Sequence, residues 1–119
     1  MSRAVFTHKQ KLTKPSDFKR VFRKPFVSTD ACFKVLARAG GADLPRLGMA
    51  VSKQVDKKAV GRNRIKRVVR ESFRQHFSDA ATPLDIIILP RRETAAMCND
   101  LLFSSLQKHW CRLDSRFEG

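Results

Sequence analysis

Ile86, Ile87 and Ile88 stand in an unbroken row inside the stretch from Leu84 to Leu89. A continuous β-branched run of this length suits a strand buried on both faces, whereas a strand with one wet face alternates apolar and polar residues. Pro90-Arg91-Arg92 closes the run. A strand of this kind needs strands beside it and cover above and below. The remainder of the chain must supply both, and this restricts the fold more than any other feature.

The neighbours are legible upstream. Phe26 to Thr29 reads as a short edge strand. From Ala31 to Ala39, Phe33, Val35 and Ala37 alternate with Lys34, Leu36 and Arg38, the period of a half-buried strand. Gly40-Gly41-Ala42-Asp43 is a turn signal, and Arg46 to Ser52 reads as the return strand, so this pair is expected to form an antiparallel hairpin. Gly48, Ala50 and Ser52 share one face of that strand and would let a helix or a nucleic-acid strand approach closely.

The cover comes from helices. Pro15-Ser16-Asp17 opens a short one, with Ser16 or Lys14-Pro15 at its start, and Phe18, Val21 and Phe22 follow at i, i+3 and i+4. Their stripe suits either core packing or a stacking platform for unpaired bases. A last helix is expected from about Thr94 to Leu113, packed through Met97, Leu101, Leu102, Leu106 and Trp110. The order is helix, three strands, helix, strand, helix. It predicts an α+β fold, a two-layer sandwich on one mixed sheet. At 119 residues one domain is expected, with residues 1–11 as a basic flexible arm and about 12–114 as the folded core.

Between the strands lies the segment Lys57 to Arg74. Eight of its eighteen residues are Lys or Arg, and Glu71 is its one acid. Ile65, Val68, Val69 and Phe73 recur at helical spacing, which predicts a helix over about 57–77 with Asp56 as a possible cap. Lys66, Arg67, Arg70 and Arg74 fall on the opposite side with Asn63. Like charges one turn apart repel by a few tenths of a kcal/mol per pair. A polyanion such as RNA or DNA would relieve that repulsion, and Arg binds phosphate in bidentate fashion.

Composition agrees. The net charge is +14, from 25 bases against 11 acids. This points to a nucleic acid or an anionic surface. No apolar run approaches the roughly 20 residues of a membrane span, and nothing in the first residues resembles a secretory signal, so the cytoplasm is the expected location. Cys32, Cys98 and Cys111, with His8, His76 and His109, are scattered, which fits no zinc spacing or disulfide framework. No phosphate-binding Gly-rich loop or nucleophile elbow is present.

The run Arg62-Asn63-Arg64-Ile65-Lys66-Arg67, continuing to Arg70-Glu71 and Arg74, resembles the RNR signature of the bacterial ribonuclease P protein subunit. Pro15-Ser16-Asp17-Phe18 through Val21-Phe22 is similar to that family's first helix. Arg46-Leu47-Gly48 with Val51-Ser52-Lys53 resembles the strand before the signature. The likeness covers roughly residues 6–113.

The resemblance implies a fold like domain 2 of ribosomal protein S5 and a one-to-one complex with a catalytic RNA that removes the 5′ leader from precursor tRNA. The RNA, with its Mg²⁺, would perform the hydrolysis, and the protein would bind no cofactor and supply no catalytic residue. It implies that Lys53, Arg62, Asn63, Arg64, Lys66, Arg67, Arg70 and Arg74 contact RNA. Phe18, Phe22, Lys34 and Leu36 would line a cleft for the single-stranded leader. Some family members place tyrosine where this chain has Leu36, so apolar contact is what remains there. A small ribosomal or ribosome-assembly RNA-binding protein is the alternative. Membrane and DNA are not expected partners. A DNA-reading helix-turn-helix needs a short helix before the long one, and strands stand there instead.

Overall fold

In the computed structural model of the chain, the structure describes residues 11–40, 44–77 and 83–118. The expected arm lies outside them except for Lys11, as do the centres of the 40–43 turn and the 78–83 loop. Seven elements follow in order: α1 (Pro15–Phe22), β1 (Phe26–Thr29), β2 (Phe33–Ala39), β3 (Arg46–Met49), α2 (Ala59–Phe77), β4 (Leu84–Pro90) and α3 (Asn99–Glu118), with a 3-10 helix at Arg92–Ala96 before α3.

The sheet runs β1-β2-β4-β3. The isoleucine strand β4 is interior, antiparallel to β2 and parallel to β3. This corrects the expected β2–β3 hairpin. A strand buried on both faces needs a hydrogen-bonded neighbour at each edge, so β4 wedges between the two, and α2 is the crossover that makes β3 and β4 parallel. The hairpin is formed by β1 and β2, from Phe26 opposite Ala37 to Thr29 opposite Lys34. Its turn carries its own signal, Asp30, whose Oδ1 accepts the N–H of Cys32 and of Phe33, both at 2.8 Å.

The pleat sorts side chains between two clusters. Phe33, Val35, Ala37, Leu47, Ile86 and Ile88 face α2 and α3, which bring Ile65, Val69, Phe73, Leu106 and Trp110. On the other face Leu36 and Ile87 meet Leu12, Val21 and Phe18 of the α1 segment. A Cβ on Gly48 would meet Phe18 Cζ at 2.7 Å and Leu12 at 3.2 Å. The small face of β3 is therefore filled by the α1 segment.

The last helix starts later than expected. Thr94 Oγ1 donates to the Arg91 carbonyl at 2.6 Å, and Met97 turns extended with ψ 143°, so α3 begins only at Asn99. Its buried stripe is Leu102, Leu106, His109, Trp110 and Leu113. Leu101, expected in that stripe, is 57% exposed, because one residue is a turn of about 100° around the axis.

Candidate RNA-binding surface

The surface begins with how α2 is seated. Ile65, Val68, Val69, Ser72, Phe73 and Phe77 are buried along one side, which leaves the other side outward. Its first turn is fixed by Asp56, whose Oδ1 accepts the Lys58 N–H at 2.9 Å. A Cβ on Gly61 would fall inside the Asp56 carboxyl group. The glycine thus marks a close approach.

The RNR triplet divides. Arg62 Nη1 donates to the carbonyls of Asp56 and Lys57, both at 2.9 Å. Arg64 donates to Asn99 Oδ1 at 2.7 Å and to the Thr94 carbonyl at 3.2 Å. Two guanidinium groups of the signature therefore tie the start of α2 to the preceding loop and to the start of α3. Asn63 between them is exposed.

The outward row follows. Among the described residues, Lys66, Arg67 and Arg70 form no salt bridge. Lys66 and Arg70 join Lys11 around a cleft of about 180 Å³ floored by Leu47, Gly48 and Met49. Leu12 N–H donates to the Leu47 carbonyl at 2.9 Å, which holds Lys11 at the β3 edge. Arg74 differs from its neighbours, because Glu71 of the same helix binds its guanidinium. That carboxylate also keeps the Arg74 pKa above its ordinary value. Lys53 is exposed beside Lys57, Lys58 and Arg92 around an open hollow of about 550 Å³.

α1 is clamped onto the opposite face by charges that sequence reasoning passed over. Asp85 of β4 is fully buried and is bonded by Arg46 and Arg20. Arg46 also lies 3.4 Å from Asp17. Arg38 Nη1 donates to the carbonyls of Arg20 and Arg23, both at 2.9 Å, and so closes the end of α1. The signal was an acid inside an otherwise apolar strand, since a buried carboxylate demands a cation.

The four residues expected to line the leader cleft do not share one environment. Phe18 is half-buried in the α1 cluster, and Phe22 is 51% exposed at the helix end. Lys34 is exposed on the sheet beyond α1. Leu36 is 3% exposed beneath α1, which takes it off the surface. The sequence pattern placed it on the outward face of β2, and the clamped helix covers that face.

These observations define a small basic α+β protein. It has a mixed four-stranded sheet, a cationic helix on one face and a short clamped helix on the other. The ribonuclease P family model matches residues 6–114. The ribonuclease P protein component of Thioalkalivibrio sulfidiphilus is 39% identical over 110 residues, spanning 92% of this chain and 91% of that one. That of Vibrio cholerae is 36% identical over 119 residues, the full length of both. Among solved structures, the RNase P protein of Staphylococcus aureus superposes with a TM-score of 0.79 at 31% identity, over 91% of this chain and 97% of that one. The Thermotoga maritima protein does so with 0.70 at 30%, over 92% and 98%. The chain belongs to the ribonuclease P protein component family.

Proposed function

We propose that this chain is the RNA-binding subunit of a ribonuclease P and grips the catalytic RNA with the outward side of α2. Lys66, Arg67 and Arg70 take phosphates there, with Lys11 and Lys53 extending the contact at either end. Arg62 and Arg64 hold the helix in place and offer RNA their remaining N–H groups. The 5′ leader of precursor tRNA lies on the uncovered end of the sheet, between exposed Lys34 and Phe22. The protein contributes binding and orientation, while the RNA and its Mg²⁺ carry out the hydrolysis.

One observation carries this reading: three cations without carboxylate partners among the described residues stand on a helix whose other side is locked in the core. Such a surface binds a phosphate backbone, and its affinity falls steeply with salt.

The test is reconstitution with the catalytic RNA transcript. Arg67→Ala combined with Arg70→Ala should weaken binding at least tenfold with an unchanged melting temperature. The protein should also lower the Mg²⁺ concentration that the RNA needs for cleavage. Recovery of ribosomal RNA in place of a catalytic RNA, when the protein is captured from cells and its bound RNA is sequenced, would overturn the assignment.

A further inference from the structure

The cations of this chain are not confined to α2. On α3, Lys108, Arg112 and Arg116 recur every fourth residue, and all three are exposed. They form a row with neighbours about 6 Å apart along the axis. Ser104, Cys111 and Ser115 accompany them on the outward side. The nearby acid, Asp114, is turned into a pair with His76 at 2.7 Å. The row runs beside β1, the outer strand of the sheet. An open groove of about 450 Å³ between helix and strand is lined by Phe26, Cys111, Arg112, Ser115 and Arg116.

Two of these cations are held in position. Arg112 Nη1 donates to Ser28 Oγ at 2.9 Å and to the Thr29 carbonyl at 3.3 Å. Ser28 Oγ lies 2.6 Å from His109 Nδ1. With the Ser28 O–H donating to that nitrogen, its oxygen accepts from Arg112. The Arg116 guanidinium sits 5.9 Å from the centre of the Phe26 ring and 5.8 Å from that of Phe117. Those rings meet edge to face at 6.1 Å. Among the described residues, Lys108, Arg112 and Arg116 form no salt bridge. An ordinary solvated face mixes charges of both signs, whereas this one fixes two arginines against polar and aromatic supports with no carboxylate paired to them among the described residues.

We infer that the groove between α3 and β1 is a second RNA surface, for a single-stranded segment distinct from the RNA held by α2 and from the leader beside Lys34 and Phe22. Phosphates lie on Lys108 and on the unoccupied edge of Arg112, and an unpaired base stacks on the Arg116 guanidinium above Phe26. Aromatic rings capped by a cation favour an unpaired base. An acidic peptide would use the charges and leave the stack idle. The inference rests on the reading of the chain as an RNA binder.

The test uses the full-length protein with the catalytic RNA transcript and precursor tRNA. In Cys98→Ser, Cys111 is the one exposed thiol left, because Cys32 is buried, and it takes a photo-cross-linker. An RNA cross-link from this position should appear and should drop at least fivefold when Lys108→Ala and Arg116→Ala are added. The same pair should lower the steepness of log affinity against log salt by about 1, for the one phosphate that Lys108 holds. Absence of the cross-link overturns the inference, as does an unchanged slope, or protection of Cys111 by poly-glutamate but not by RNA. If Arg67→Ala/Arg70→Ala weakens binding while the α3 pair does not, the second surface alone falls. If neither does, the RNA reading falls with it.

Discussion

Arg46 and Asp85 sit directly opposite one another across the parallel β3–β4 ladder, and the guanidinium holds both carboxylate oxygens at 2.8 and 2.7 Å. The same carboxylate receives Arg20 of α1. One buried acid therefore fastens two strands and a helix, and α1 carries Phe18 and Phe22. Removing one partner of a buried pair costs about 3–5 kcal/mol, because the other charge is left uncompensated. Arg46 keeps 16% exposure and Arg20 36%, so Asp85→Ala should fall near the lower end. Urea unfolding at constant m value measures it. A change below about 1 kcal/mol would show that the clamp is dispensable.

Acid should weaken the fold through the cluster at the β1–β2 turn. Burial pushes the Asp30 carboxyl up, but hydrogen bonds from Ser105 and from the Phe33 and Cys32 N–H groups, with His109 Nε2 3.2 Å away, outweigh it and hold the group at about 2. Burial keeps His109 below its ordinary 6.5, against the opposing pull of Asp30. Both folded-state values are depressed, so both contributions are complete above the unfolded values and are lost as pH falls. The His109 part fades below about 6.5. The Asp30 part goes between about 4 and 2. In urea titrations the advantage of the native chain over His109→Gln should shrink as pH drops from 7 to below 6. A pH-independent difference would contradict this account.

Gly61 offers a sharper test of local geometry. A helical Gly→Ala change ordinarily stabilises by about 1 kcal/mol. Here the new Cβ would collide with the Asp56 carboxyl, which caps the first turn through Lys58. Gly61→Ala alone should therefore be neutral or destabilising. In an Asp56→Ala background the same change should recover its stabilisation of about 1 kcal/mol. Additive effects in this double-mutant cycle would rule the contact out.

The parts of the fold governed by local periodicity were legible in the sequence. The isoleucine run named the interior strand, and the spacing of Ile65, Val68, Val69 and Phe73 placed α2 within two residues of its observed start. Strand partnership was not legible. Gly40 to Asp43 looks like a hairpin turn whether or not β4 later inserts, and nothing local distinguishes the two outcomes. The site was partly legible for a similar reason. Spacing separates the two sides of α2, but it does not reveal which cations already have partners inside the protein. Arg62, Arg64 and Arg74 acquire theirs from the Asp56–Lys57 backbone, from Asn99 and from Glu71. Of these, the Arg64–Asn99 bond joins parts of the chain 35 residues apart and depends on tertiary packing. Leu36 was misplaced because its cover, α1, is held by the buried Asp85, a long-range device.

Ser72 lies on the apolar side of α2, where a hydroxyl looks like a defect. Its Oγ accepts the Nε1–H of fully buried Trp110 at 2.8 Å, and that indole also packs between His76, Phe73 and Phe77. Ser72→Ala removes a buried polar group, which alone would favour the fold, but it leaves a buried N–H without a partner at about 1–3 kcal/mol. The second effect is larger, so the variant should be destabilised by about 1–2 kcal/mol. Trp110→Phe loses packing in addition. Adding Ser72→Ala to it should cost much less than Ser72→Ala alone, because no indole proton remains to be stranded. Trp110 is the one tryptophan of the chain, so its emission reports on unfolding of the native and Ser72→Ala chains, and circular dichroism follows the Phe variants. A Ser72→Ala chain more stable than the native one would show that the indole makes no bond there.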